Sequence, residues 1–354
     1  MLYLLVRAML VKCGCTYAKL LQLCWIGINI YLFTAAYIKY DQGDEWFYLR
    51  KYTGPFLALA RAPAACLNLN CMLIILPVCR NVLVLLRRLI FFSRTLRNLL
   101  EHNIEMHKWC AYSICLFTGV HLLAHVFNVI YLFNSRISST PLVTKLNTLI
   151  DGECTNDVVN GTMCTYINPV DDSTIDAELA VFKLFGGWSG VIISLALVFI
   201  VTSAAEPIRR SFFELFWYTH HLFVVFFVFL IIHGYGRQIR GQIDLADHDP
   251  HVCEEVHDQW GSIPECPLPQ FAGSPPATWK WVVVPFGIYL IERLLRVYHA
   301  VFPAQISKIV MHPSRVVEIQ LNKHKFSLRG DYNDVGEYIF IKVNLSVYET
   351  TKST

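Results

Sequence analysis

Six stretches of this chain, residues 19–38, 53–77, 106–130, 183–205, 212–235 and 279–302, stay apolar over a length that few folds can accommodate. A hydrocarbon layer of ~30 Å is crossed by about 20 residues of α-helix, and a helix satisfies its own backbone hydrogen bonds where no water is present. The expected fold is an all-α membrane protein, a bundle of six transmembrane helices. Composition agrees, since 55% of the 354 residues are hydrophobic and only 16% are charged. The formal net charge of +3 is small and scattered, so nucleic acid is not an expected partner.

Charge in the connecting segments sets an expected orientation. Arg80, Arg87, Arg88, Arg94 and Arg97 stand against a lone Glu101 between the second and third runs, and Arg209 and Arg210 lie between the fourth and fifth. Basic loops stay in the cytosol. The loops with Asp151, Glu153, Asp157, Asp171, Asp172, Asp176 and Glu178, and with Asp244, Asp247, Asp249, Glu254, Glu255, Asp258 and Glu265, would face outside. Both termini are then cytosolic. The sequon Asn160-Gly161-Thr162 falls in the first outer loop, where a glycan could be attached. Cys154 with Cys164, and Cys253 with Cys266, share outer loops and could close disulfides there. His248, His251, Cys253 and His257 crowd together as metal ligands do, but a Cys253–Cys266 disulfide with exposed histidines is the simpler expectation. Met1 to Val11 is too short to span, and Cys13 and Cys15 read as inert. A second sequon at Asn344 would be cytosolic and is expected to be chance.

The third run carries His107, His121 and His125, and the fifth carries His220, His221 and His233. A titratable ring in a lipid-spanning segment is a functional candidate by default. His107 and His121 are 14 residues apart, close to four helical turns, so both rings leave one face separated by ~21 Å. His220 and His233, 13 apart, span roughly 20 Å. Paired across neighbouring helices, these four make two stacked bis-imidazole sites, and axial imidazoles are a standard way of holding haem iron. Any one of them alone reads as a structural histidine bonded to a carbonyl; two matched pairs ask for a common cause. A 13-residue step turns the second ring off the face of the first, so the fifth helix has to twist, bulge or tilt. His221 is an alternative to His220, whose depth better matches His107. Gly186 and Gly190, one turn apart, permit close approach of a helix or a flat ligand, and plain helix packing is enough to explain them.

From Gln305 the pattern changes to AQISKIVMH, RVVEIQL and EYIFIKVNL, with turn-like groups such as Arg329-Gly330-Asp331 between them. These read as strands of a soluble unit that is incomplete as it stands.

At these residues the chain resembles the NADPH oxidase family, and within it the phagocyte-type catalytic subunit and its near paralogues. The matching words are ARAPAACLNLNCMLIILPVCRN at 60–81, the helix with His107, His121 and His125, EPIRRSFFELFWYTHHLF at 206–223, CPLPQFAG at 266–273, PPATWKW at 275–281, ERLLR at 292–296 and VMHPSRVVEIQLNK at 310–323. The resemblance implies a six-helix, ferric-reductase-like haem domain over 19–302, preceded by a cytosolic segment 1–18. Residues 303–354 would begin a cytosolic FAD-binding domain, here the incomplete strand segment of a flavin-binding barrel. It implies two b-type haems, His107 and His220 on the inner iron and His121 and His233 on the outer. Arg61 and His125 would stand beside the outer haem and stabilise the nascent superoxide anion, the catalytic role the family implies. Electrons would pass from NADPH through FAD and the haems to molecular oxygen. A small membrane partner subunit, cytosolic activator proteins and a place in the bilayer of the plasma membrane, phagosome or endosome are also implied. The basic segment Arg87 to Arg97 could dock an activator, although anchoring to the cytosolic face accounts for it.

The family's His-Pro-Phe-Thr flavin motif and Gly-rich nicotinamide loop do not occur in this sequence, which diverges near Asn344. Full turnover therefore needs a dehydrogenase part supplied elsewhere. A ferric-chelate reductase, a proton channel and a non-catalytic form that occupies the partner subunit are the alternative expectations.

Overall fold

The computed structural model describes residues 17–90, 100–149, 158–159, 162–163, 166–169, 177–301, 306–312 and 317–321. The chain divides into two units, Met1–Leu294 and Leu295–Thr354. The first is mainly helical. Its long helices are α1 (Tyr17–Gln42), α2 (Phe56–Ile75), α4 (Asn103–Asn134), α5 (Phe185–Ala204) and the consecutive pair α6 (Phe213–His220) and α7 (Phe223–Ile232); the shorter α3 (Arg80–Leu89) links α2 to α4. The α8 helix covers Thr278–Val301. Among the described residues, five stretches are long and apolar enough to cross a membrane: Lys19–Gln42, Phe56–Val78, Asn103–Ile137, Phe185–Ala204 and Phe213–Gly236. The sixth expected span forms as helix α8 but lies outside that set, because Lys280, Glu292, Arg293 and Arg296 interrupt its apolar run.

Apolar side chains on these helices point outward as well as inward. Leu23, Tyr31, Leu116 and Val198 are each more than half exposed, an arrangement that water would penalise and acyl chains would not. The inward faces are lined differently. One core gathers Cys71, Ile75, Ile114, Ile193, Ala196, Phe226, Phe227 and Val282, joining α2, α4, α5, α7 and α8. Within the bundle α1 and α4 both lie against α2, while α5 packs on α6 and α7.

The second core belongs to a cap at one end of the bundle. Tyr40 at the end of α1, the short helix Phe47–Thr53, Leu57, Leu132, Leu146, Trp260 and Phe271 share it. The cap has β-structure of its own, β3 (Arg240–Gln242) antiparallel to β4 (Phe271–Gly273), and elsewhere in the unit β1 (Val158–Val159) pairs antiparallel with β2 (Thr162–Met163). Arg240, almost fully buried, donates to Tyr166 O and Phe271 O at 2.8 Å each and so ties the strand to the neighbouring loop.

Cys253 and Cys266 are disulfide-bonded in this cap. Cys154, Cys164, Asn160 and the basic residues Arg94 and Arg97 lie outside the described residues.

In the second unit β5 (Ile306–Met311) pairs antiparallel with β6 (Val317–Leu321), as the alternating Ile and Val predict. The third expected strand, EYIFIKVNL, lies outside the described residues.

Candidate functional site

Two prolines on α2 organise the first half of the site. Pro63 lies within the helix and Pro77 just beyond its end, in the turn Leu76–Val78. A proline donates no backbone hydrogen bond and distorts the preceding turn, so nearby carbonyls in a span need another donor. An imidazole supplies it each time: His121 Nδ1 lies 2.8 Å from Ala60 O, and His107 Nδ1 lies 2.9 Å from Ile74 O. Each acceptor is three residues before its proline. The 14-residue spacing of His107 and His121 is thus repeated in reverse by Ile74 and Ala60 on an antiparallel neighbour. A carbonyl only accepts, so both Nδ1 atoms carry the proton and both Nε2 atoms keep a lone pair, the state a metal ligand needs.

The second half comes from α6 and α7, and here the 13-residue step is resolved by breaking the helix. His221 N and Leu222 N bond to Tyr218 O and Thr219 O, and Val224 N to His221 O, all three residues back. Such tight steps turn by ~120° instead of ~100°, which carries His233 round toward the side that His220 faces. His220 is the histidine that meets His107, their ring centres 6.3 Å apart. His221 instead turns to Trp217 O at 2.6 Å and lies tilted against the Trp217 ring, 4.3 Å between centres. His220 Nδ1 is buried without a hydrogen-bond partner among the described residues; Phe216 lies against its ring at 5.1 Å.

His233 opens the short turn His233–Gly236. Its Nδ1 is 2.9 Å from Ser189 Oγ. That hydroxyl donates its only proton to Phe185 O at 2.6 Å, so it accepts from His233, whose Nε2 again keeps its lone pair. Small residues leave room beside it: a Cβ at Gly190 would stand 3.3 Å from His233 Cε1 and make the ring shift, and one at Gly186 would meet the end of the Gln238 side chain and lie 3.8 Å from the ring. The two glycines expected as helix-packing residues therefore admit an imidazole.

Around this second pair sit Arg61 and His125. His125 meets His121 edge to face at 4.5 Å between ring centres. Arg61 lies close enough to act electrostatically on His121, His125 and His233, and His121 and His233 act on each other. Arg61 Nη2 donates to the Tyr40 hydroxyl at 2.9 Å, and its guanidinium lies 4.9 Å from the Tyr40 ring centre. Its Nε is buried with no partner among the described residues. All six residues singled out from the sequence thus gather in two groups: His107 with His220, and His121, His125, His233 and Arg61. Pro63, Pro77, Ser189 and Tyr40 were not singled out. The prolines could have been, because they repeat the 14-residue interval; nothing in the sequence marks Ser189 or Tyr40.

The histidines of the loop between α7 and α8 behave otherwise. His248 is fully buried, not exposed as expected: its Nδ1 donates to Pro267 O at 2.6 Å, and its Nε2 accepts from Tyr48 Oη at 2.6 Å. Burial holds its pKa below the usual histidine value, against the Pro267 bond and the nearby Asp244 and Asp249. His251 is exposed and bonds Asp44. Among the described residues no group of three or more His, Cys, Asp or Glu could hold a metal ion.

Residues 62–231, which include the four paired histidines except His233, match the family described as ferric reductase like transmembrane component. The chain is 43% identical to mouse NADPH oxidase 1 over 90% of its own length and 52% of that protein's. It is 38% identical to human NADPH oxidase 3 over 92% of its length and 56% of the relative's. With mouse NADPH oxidase 4 the identity is 31%, over 90% of this chain and 56% of the relative. The chain spans about half the length of these relatives, and it belongs to the NADPH oxidase family as an integral membrane protein with a ferric-reductase-like transmembrane component.

Proposed function

We propose that this chain conducts electrons across a membrane through two b-type haems, from an FAD- and NADPH-binding part on the cytosolic side to molecular oxygen outside, where superoxide is released. One observation carries the reading. Two metal–nitrogen bonds of ~2 Å, each followed by about 1.1 Å to a ring centre, set facing imidazoles about 6.2 Å apart; the His107 and His220 rings are 6.3 Å apart. His107 and His220 would hold the inner haem, and His121 and His233 the outer. When bound, each haem would supply one-electron transfer.

The chain's own residues do the rest. Ile74 O, Ala60 O and Ser189 Oγ fix three of the four imidazoles with Nε2 unprotonated. Arg61 offers positive charge where an anion would form, in a poorly hydrated site where such charge counts most, and His125 offers a hydrogen bond beside it. Tyr40 holds the guanidinium in place. On this reading the disulfide-bonded cap faces outside, α8 completes a six-pass bundle over 19–302, and β5 with β6 begins the flavin-binding domain. A small membrane partner and cytosolic activators complete the oxidase.

Purified protein should give a reduced-minus-oxidised spectrum of two low-spin b-type haems per chain. Well-folded protein without haem absorbance would overturn the proposal. The family description of a ferric reductase component favours a second reading, in which a ferric chelate accepts the electrons. Dye reduction sensitive to superoxide dismutase supports oxygen; insensitive reduction together with iron reduction supports the chelate.

A further inference from the structure

We infer that Gln238 is a positioning residue for His233: it clamps the first turn of α5, where the His233 ring is held, to the turn from which His233 comes. The inference rests on His233 being an axial haem ligand, as proposed above, and concerns how that ligand is kept at one angle.

The start of α5 serves His233 in two ways. Phe185 O accepts the Ser189 hydroxyl proton and that hydroxyl accepts from His233 Nδ1, while Gly186 and Gly190 leave room for the ring. A helix start leaves backbone N–H groups without acceptors inside the helix, and a capping side chain ordinarily provides one. Leu184, at the cap position, makes no such bond. Gln238 provides it from 52 positions away, its Oε1 accepting from Gly186 N at 3.2 Å.

The chain is bent to make this contact. After the turn His233–Gly236, Arg237 adopts a left-handed conformation, φ 44° and ψ 36°, which a residue other than glycine keeps only where its surroundings enforce it. Beyond that reversal Gln238 lies back against the turn, its Nε2 3.2 Å from where a Gly236 Cβ would stand. The same Cβ would lie 2.7 Å from Phe185 Cβ, so the turn reaches α5 because residue 236 is glycine. His233 and Gln238 therefore grip the start of α5 from the two ends of one connection. A single contact would let α5 pivot against the ring; two contacts fix the angle of the imidazole about its Nδ1 bond. Ring orientation and hydrogen bonding behind the ligand are levers by which a protein tunes an axial histidine.

The test uses the purified chain in bilayer nanodiscs, with electron paramagnetic resonance of the oxidised low-spin irons and titration of haem into stripped protein. The signal that His233→Ala removes marks the second site. Gln238→Ala should move that signal and weaken haem binding at that site by roughly ten-fold, the smaller loss expected of an outer partner, while the other site's signal and affinity stay as in the wild type. Gln238→Glu, which keeps an acceptor for Gly186 N, should restore the second site's affinity. Should Gln238→Ala fold poorly, Gln238→Met, of similar length and without the acceptor, takes its place. An unchanged second site in the variant without the acceptor, equal changes at both sites, or a Gln238→Glu protein that binds haem no better, overturns the inference and leaves the electron path standing. Wild-type protein without haem overturns the path and this role together, so the two failures are distinguishable.

Discussion

The two histidine pairs each take one ring from α4 and one from the α6–α7 segment, yet they are held differently. At His121 and His233 each Nδ1 proton has a fixed acceptor, Ala60 O in one case and Ser189 Oγ in the other. At His107 and His220, among the described residues, only His107 is anchored, by Ile74 O, and His220 Nδ1 has no partner. The surroundings differ too. Arg61 and His125 attend the second pair, whereas the first has Phe216 against His220. A metal ligand oriented by a hydrogen bond is a better donor than one oriented by packing, and a nearby cation stabilises an added electron. Both differences favour the second pair as the electron's destination.

The largest break in the comparison comes from the ligands themselves. His121→Ala or His233→Ala should remove one haem per chain, and His107→Ala or His220→Ala the other, each abolishing transmembrane electron transfer; haem-to-protein absorbance ratios check this. Ser189→Ala makes the second pair resemble the first. Losing an outer partner of this kind typically costs ~10–100-fold in affinity or activity, so haem titration should show that loss for the second site alone.

Arg61→Gln sharpens the electrostatic half of the contrast. A unit charge ~10 Å away in a medium of dielectric ~20 is worth about 1–2 kcal/mol, or tens of millivolts for one electron. The midpoint potential of the second haem should fall by that amount and the first should hardly move. Equal shifts in a redox titration would show that Arg61 does not discriminate between the pairs.

Much of this arrangement was legible in the sequence. Helix-length apolar runs leave few alternatives in a bilayer, and the 14-residue interval of His107 and His121 places both on one face. The awkward 13-residue interval correctly required a distortion, found at His220 to Val224. What could not be read is set by contacts across the fold. Ser189 looks like any small residue in an apolar helix until His233 is brought to it, and Gly190 looks like a packing glycine. His248 belongs to an acidic loop, a context that implies exposure, yet Tyr48 lies 200 positions earlier and buries it. The sixth span stands apart because apolar length and charge conflict within it, with Glu292 engaged by Asn81.

The smallest effect tests whether the cap serves one pair only. Tyr40 belongs to the cap's core and also holds Arg61, so loosening the cap should reach the second pair and spare the first. Tyr48→Phe removes the hydroxyl donor to His248 Nε2 and leaves a buried acceptor unpaired, at a cost of ~1–3 kcal/mol. The wild-type cap should also respond to pH. Burial puts the folded His248 pKa below that of the exposed ring, so above about pH 6.5 both states are neutral and stability is full. As pH falls through that value the opened cap takes up a proton that the closed cap refuses, and stability declines until the folded pKa is passed. Hydrogen-exchange protection factors across residues 240–273, with the intrinsic pH dependence of exchange divided out, should therefore fall on acidification in the wild type, and His248→Gln should flatten that response. If Tyr48→Phe alters the spectrum or potential of both haems equally, the cap is a general support, and the second pair owes its distinct character to Arg61 and Ser189 alone.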